Sequence, residues 1–201
     1  MQVDMKKVVF TGDSLLDNVW QAEDAGLDLN FTRWTDMVAK ELEFEYVNTA
    51  VAGDTIKNIC SNVESRVTSY KPTHVILDGG VNDIHQGVAK TAKEVAGNLE
   101  FLDVVLFESG CKMIYVFFPV DFTGVGDGQI NNTTYSELRR TLKEMFERYG
   151  TRFIDLSTTL GSIGNVKSKA YFFDKVHQNQ YGQMLIAQRV SEELRNWFGI
   201  K

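Results

Sequence analysis

The chain has only two prolines in 201 residues, and charged residues make up 24% against 43% hydrophobic ones. That balance excludes a disordered, fibrous or membrane protein and fits an ordinary globular one. It has only two cysteines, Cys60 and Cys111, both in apolar surroundings and without CxxC or histidine spacing. Such a pair reads as two buried reduced thiols rather than as a disulfide or a metal site. No basic face offsets the net charge of −6, which argues against nucleic acid as a partner. No apolar run approaches the length of a membrane span. The first residues, MQVDMKKVVF, carry an acidic residue and two lysines and then only three apolar positions before Thr11 and Gly12. A signal peptide needs a longer apolar stretch and a small-residue cleavage site, so a cytoplasmic location is expected. Repeats, low-complexity tracts and linkers are absent, and 201 residues suit one domain spanning 1–201 with a well-sized core.

What is present is an alternation of two periods. Short, nearly uninterrupted apolar runs occur at Lys7–Phe10, Phe44–Val51, His74–Asp78, Met113–Phe118 and Arg152–Asp155, as expected for strands covered on both faces. Between them lie helical stripes. One carries Ile56, Ile59, Val63 and Val67. A second opens at a Thr91/Glu94 capping box and carries Ala92, Val95, Leu99, Leu102 and Leu106 to Gly110. A third opens at Thr134/Glu137 and carries Tyr135, Leu138, Leu142, Met145 and Tyr149 to Gly150. The last runs from about Gln178 with Tyr181, Met184, Ala187, Val190, Leu194 and Trp197. Strand and helix repeated this way predict an α/β fold, with a parallel sheet between two helical layers. Two stretches resist assignment, Asp17–Phe31 and Val120–Asn132; a long loop in a compact domain is often a functional rim or lid.

Ligands of an open parallel sheet bind beyond the carboxyl ends of its strands. Four segments fall there: Thr11-Gly12-Asp13-Ser14-Leu15, the run from Asn48 to Thr55 containing Gly53, Gly79-Gly80-Val81-Asn82-Asp83, and Asp174-Lys175-Val176-His177 before the last helix. They supply the parts of an acyl-transfer site. A serine hydroxyl is a poor nucleophile until an imidazole takes its proton, and His177 can do so if the last helix begins beside the first strand. Asp174, three residues earlier, can fix the imidazole tautomer and stabilise the imidazolium. The N–H groups of Ser14 and Gly53 and the side-chain amide of Asn82 are the oxyanion donors best placed by topology.

These four blocks, in order and spanning nearly the whole chain, resemble those of the SGNH, or GDSL, hydrolase superfamily. The resemblance implies a five-stranded sheet of flavodoxin-like order 2-1-3-4-5. It also implies Ser14, Gly53, Asn82 and His177 as the catalytic set, with Asp174 completing the triad. Related activities include esterases, lipases, lysophospholipases, thioesterases and carbohydrate O-deacetylases. A small-molecule ester is therefore the expected partner, an acylated sugar and a lysophospholipid both being within range. No cofactor or metal is expected. A small acyl group, acetyl first, is the expectation because Gly53, Gly79 and Gly80 line the strand ends without a long apolar insertion.

Blander readings stand beside these. Ser14 alone could cap a helix, and Asp13, Asp17 and Asp83 suit local turns. Asp54 suits the N-cap of the helix carrying Ile56. His74 reads as structural and His85 as a solvated loop residue. Asp121 and Asp127 lack the spacing of a calcium loop. Phe101, Val104 and Phe107 lie off the main stripe of their helix, through deep burial or through a subunit contact in a homo-oligomer. A thioesterase or acyltransferase would use the same groups, and a catalytically silent binding relative would retain the fold. A nucleotide binder fares badly without GxGxxG or GKS/GKT, and an α/β-hydrolase elbow lacks its second glycine after Ser14.

Overall fold

The computed structural model describes residues 6–17, 31–122, 131–166 and 168–200; most of the two unassigned stretches lies outside them. The sheet comprises β1 (Lys7–Thr11), β2 (Glu45–Asn48), β3 (His74–Leu77), β4 (Lys112–Phe117) and β5 (Arg152–Asp155). All its pairings are parallel, in the order β2-β1-β3-β4-β5. The expected runs lie within a few residues of these strands. β1, β3 and most of β4 are buried. β2 is shorter than its apolar run and begins with exposed Glu45 and Tyr46. As an edge strand it is paired on one side only, so the expectation of burial on both faces fails there.

Strand alternation sorts the core into two layers. Val9, Val75, Leu77, Met113, Tyr115 and Phe117 face one side; Val8, Phe10, Ile76, Ile114 and Val116 face the other. The first layer is closed by the helices Ala92–Glu108 and Asn132–Tyr149. Ala92, Val95, Leu99, Leu102 and Leu106 are all buried, as the stripe predicts. The Thr91 hydroxyl accepts the Glu94 N–H at 3.2 Å, whereas the Glu94 carboxylate reaches back to the N–H of Lys90, not Thr91. Asn132–Tyr149 begins earlier than expected because Asn131 caps it, accepting the Thr134 N–H at 2.9 Å. Its stripe drifts by the last turn, leaving Tyr149 exposed and Phe146 buried.

The second layer is closed by Trp34–Glu41 and Gln180–Phe198. In the latter, Tyr181 and Met184 are exposed, and Gln183, Ile186, Ala187, Val190 and Leu194 form the buried face instead. Ile56 to Val67 is broken into helices Ile56–Ser61 and Val63–Arg66. Thr55, not Asp54, caps the first, accepting the Asn58 N–H at 3.1 Å. Phe101, Val104 and Phe107 are exposed, which excludes deep burial.

Candidate active site

β1 ends in a tight crossing. A Cβ on Gly12 would lie 2.6 Å from the Asp78 carbonyl oxygen, so only glycine lets the two backbones pass here. The turn that follows is tied by its own residues. The Leu15 N–H donates to Asp13 Oδ1 at 2.9 Å, and the N–H groups of Leu16 and Asp17 donate to the Asp13 carbonyl. The fully buried Trp34 donates its indole N–H to the Leu15 carbonyl at 3.1 Å while packing edge-on against Phe10. Ser14 is thereby held, nine-tenths buried, at the carboxyl end of the sheet.

Its Oγ lies 3.0 Å from His177 Nε2, across 163 positions of sequence. His177 Nδ1 lies 2.7 Å from Asp174 Oδ2. The other oxygen of Asp174 accepts the N–H groups of Val176 and His177 at 2.8 and 2.7 Å. One carboxylate therefore shapes the loop and orients the ring together. Burial pushes the Asp174 pKa up, but the bonds from the His177 ring and backbone outweigh it and bring it down to about 2. The group therefore stays anionic wherever the protein is folded near neutral pH. Lys175, between them, has φ +105°, a strained value for a residue with a Cβ.

Gly53 sits at φ +76°, in the left-handed region, while a Cβ there would meet nothing within 4 Å. The backbone conformation, not crowding, is what calls for glycine. Among the described residues, the N–H groups of Ser14 and Gly53 make no hydrogen bond. Both remain available as donors. Asn82 is turned inward: its Nδ2 donates to Asp13 Oδ2 and to the Asp54 carbonyl, each at 3.0 Å.

Three contributors escaped the sequence reading. Arg66 pairs with the carboxylate of Asp54 and donates to the Thr49 carbonyl at 2.5 Å and to Thr11 Oγ1 at 3.4 Å. It thus ties together the ends of β1 and β2 and the loop bearing Gly53. Asp83 serves as more than a turn former, because its carboxylate accepts the N–H groups of Ile56 and Lys57 at the start of a helix. Asp78 is buried beside Asp13. Its one sequence signal was an acid directly after the apolar run HVIL.

His74 is buried against Phe198, their ring centroids 4.5 Å apart, and His85 is exposed. Asp121 bonds to Asn132 and Lys175, while Asp127 lies outside the described residues. Cys60 and Cys111 are free thiols, and burial raises both pKa values, to about 11 and about 12. Among the described residues, no group of three or more His, Cys, Asp or Glu side chains could hold a metal ion, and no helix is long and apolar enough to cross a membrane. A cleft of about 530 Å³ opens at the opposite end of the sheet, where His74, Lys112 and Arg152 begin β3, β4 and β5. It contains none of the groups around Ser14.

The pattern of the GDSL-like Lipase/Acylhydrolase family matches residues 10–185. The chain belongs to that family and is a carboxylic-ester hydrolase. It is 22% identical to an acetylxylan esterase from Geobacillus stearothermophilus, over 94% of each chain. In fold it is similar to the crystal structure of Axe2, an acetylxylan esterase from that organism, with a TM-score of 0.73 and 18% identity over 96% of both chains. It is also similar to the psychrotrophic esterase EstA from Pseudoalteromonas sp., with a TM-score of 0.73 and 17% identity over 96% of this chain and 99% of that one.

Proposed function

We propose that the protein cleaves short-acyl esters through a Ser14-His177-Asp174 triad and an acyl-enzyme. The observation that carries this reading is the unbroken line of hydrogen bonds, 3.0 Å from Ser14 to His177 and 2.7 Å from His177 to Asp174. With its own proton on Nδ1, directed at Asp174, the imidazole offers a bare Nε2 to the serine hydroxyl. Ser14 Oγ attacks the acyl carbon as its proton passes to Nε2. The carbonyl oxygen becomes an oxyanion held by the N–H groups of Ser14 and Gly53 and by the Asn82 amide. The imidazolium then protonates the departing alcohol. Water attacks the acyl-serine, gives its proton to the same nitrogen, and releases the carboxylic acid with Ser14 restored.

Asp174→Asn keeps an oxygen for the loop N–H groups but offers an amide to His177 Nδ1. It is expected to lower kcat by roughly 10²–10³, less than for a fully buried triad acid, because its half-exposed side chain lets water substitute in part. Steady-state kinetics on 4-nitrophenyl acetate give the answer, and an unchanged kcat would remove Asp174 from the triad.

Acetyl is the proposed acyl group and a carbohydrate the proposed alcohol. Glycines line the strand ends, and the 120–132 stretch, broken by Asp121, Gly124, Gly126, Asp127 and Gly128, is a poor wall for a lipid. A long acyl chain contributes about 0.8 kcal/mol per CH₂ only where a dry surface receives it. The acetylxylan esterase similar over 94% of each chain supports the same choice. The test is kcat/KM for acetyl, butyryl, octanoyl and palmitoyl esters of one alcohol, with acetylated xylo-oligosaccharides and a lysophospholipid alongside. Rates falling with acyl length, and acetate release from the oligosaccharide, are expected. Rates that climb past octanoyl would establish a lipid-type pocket instead.

A further inference from the structure

Asp13 and Asp78 lie side by side beneath the turn that carries Ser14, 0% and 2% exposed. Their carboxyl groups are close enough to interact directly. Two ionised carboxylates offer each other only acceptors, so a bond between them requires a proton on one of the two. Double ionisation would put two like charges in contact without water. The neighbours decide which group keeps the charge. Asp13 accepts from the Leu15 N–H on one oxygen and from Asn82 Nδ2 on the other. Asp78 Oδ2 has no partner among the described residues. The better-solvated anion is Asp13, and the proton belongs on Asp78. Burial pushes Asp13 up to about 6 and Asp78 well above the carboxylate range, the Asp13 charge adding to the latter.

Asn82 inherits the consequence. Its two amide hydrogens are donated to a charged acceptor, Asp13, and to a neutral one, the Asp54 carbonyl. A nascent oxyanion can displace a neutral carbonyl from an N–H far more readily than it can displace a carboxylate.

We propose that Asp13 is a positioning residue for acyl transfer: with the shared proton on Asp78, it anchors one Asn82 N–H and leaves the other to exchange Asp54 for the oxyanion. This deepens the Ser14 reading and rests on it. His177 and Asp54 face Asp13, with Arg66 paired to Asp54. Tyr115 from β4 and Tyr135 from the Asn132–Tyr149 helix face Asp78, both kept neutral by burial. Loss of the shared proton at high pH sets two anions against each other and releases Asn82.

The test uses the whole chain. Infrared spectra of wild type near neutral pH should contain the carbonyl stretch of a protonated carboxylic acid, absent from Asp78→Asn. With 4-nitrophenyl acetate, Asp13→Asn should lower kcat about tenfold while KM stays within about threefold. Wild-type kcat should fall on the alkaline side. Asp78→Asn, whose amide donates to Asp13 with no proton to lose, should move that fall upward by about one pH unit or more. Asp78→Leu, which cannot donate, should be impaired throughout. The folded chain holds a proton that the unfolded chain gives up near the ordinary carboxylate pKa. Wild-type stability should therefore decline relative to Asp78→Asn as pH rises. A missing infrared band, coincident wild-type and Asp78→Asn pH profiles, or a Asp13→Asn effect confined to KM would overturn the proposal. A wild type that hydrolyses no ester would instead overturn the Ser14 reading, leaving the infrared and stability measurements to judge the pair.

Discussion

Ser14→Ala is expected to abolish ester hydrolysis, with kcat falling by about 10⁶ toward the residual rate left by binding and oxyanion donors alone. The loss should be purely chemical. The described bond of the Ser14 hydroxyl is the one to His177, and the turn around it is held by Asp13 and Trp34. Circular dichroism and thermal melting should match wild type within experimental scatter. A fluorophosphonate probe should label wild type at Ser14 and leave the variant unmodified. Full activity in the variant, or labelling at another serine, would end the triad assignment.

Arg66→Met is expected to cost about 3–5 kcal/mol of stability, because it strands Asp54 as a buried, unpaired charge. The discount for solvent screening is small, since the two side chains are only 13% and 4% exposed. Chemical denaturation should shift its midpoint accordingly. Arg66→Met combined with Asp54→Asn should recover much of the loss, as the charge that needed Arg66 is then gone. A single-variant cost below about 1 kcal/mol would mean that water reaches Asp54 and that the clasp is superficial. Activity should fall too, because Arg66 holds the Thr49 carbonyl and the loop on which Gly53 sits.

The sheet was legible because parallel strands buried on both faces leave unbroken apolar runs, as in His74–Leu77. The reading overreached at β2, where the same composition lies at an edge and solvent reaches Glu45 and Tyr46. The meeting of Ser14, Asp174 and His177 was legible because each follows a strand or precedes a helix, and topology brings such positions to one sheet end. Trp34–Glu41 was passed over because it presents only about two turns of pattern beside an unassigned stretch. Arg66 and Asp78 could not be assigned roles from spacing, since their partners lie up to 65 positions away in sequence (78 − 13 for Asp13 and Asp78). Buried polar partnerships of that kind follow from packing, which a linear pattern does not encode.

The helix that follows His177 is synthesised long after the turn that carries Ser14. Gln180–Phe198 docks on Trp34–Glu41 through Gln183 to the Trp34 N–H, and through Ser191 and Arg195 to Glu41. The ribosome therefore makes Ser14 first and His177 163 residues later, on the order of ten to thirty seconds at usual elongation rates. Throughout that interval Ser14 has no His177 imidazole beside it. If the proposed triad holds, a chain ending before Asp174 carries the signature serine without its base, and fluorophosphonate should leave it unlabelled.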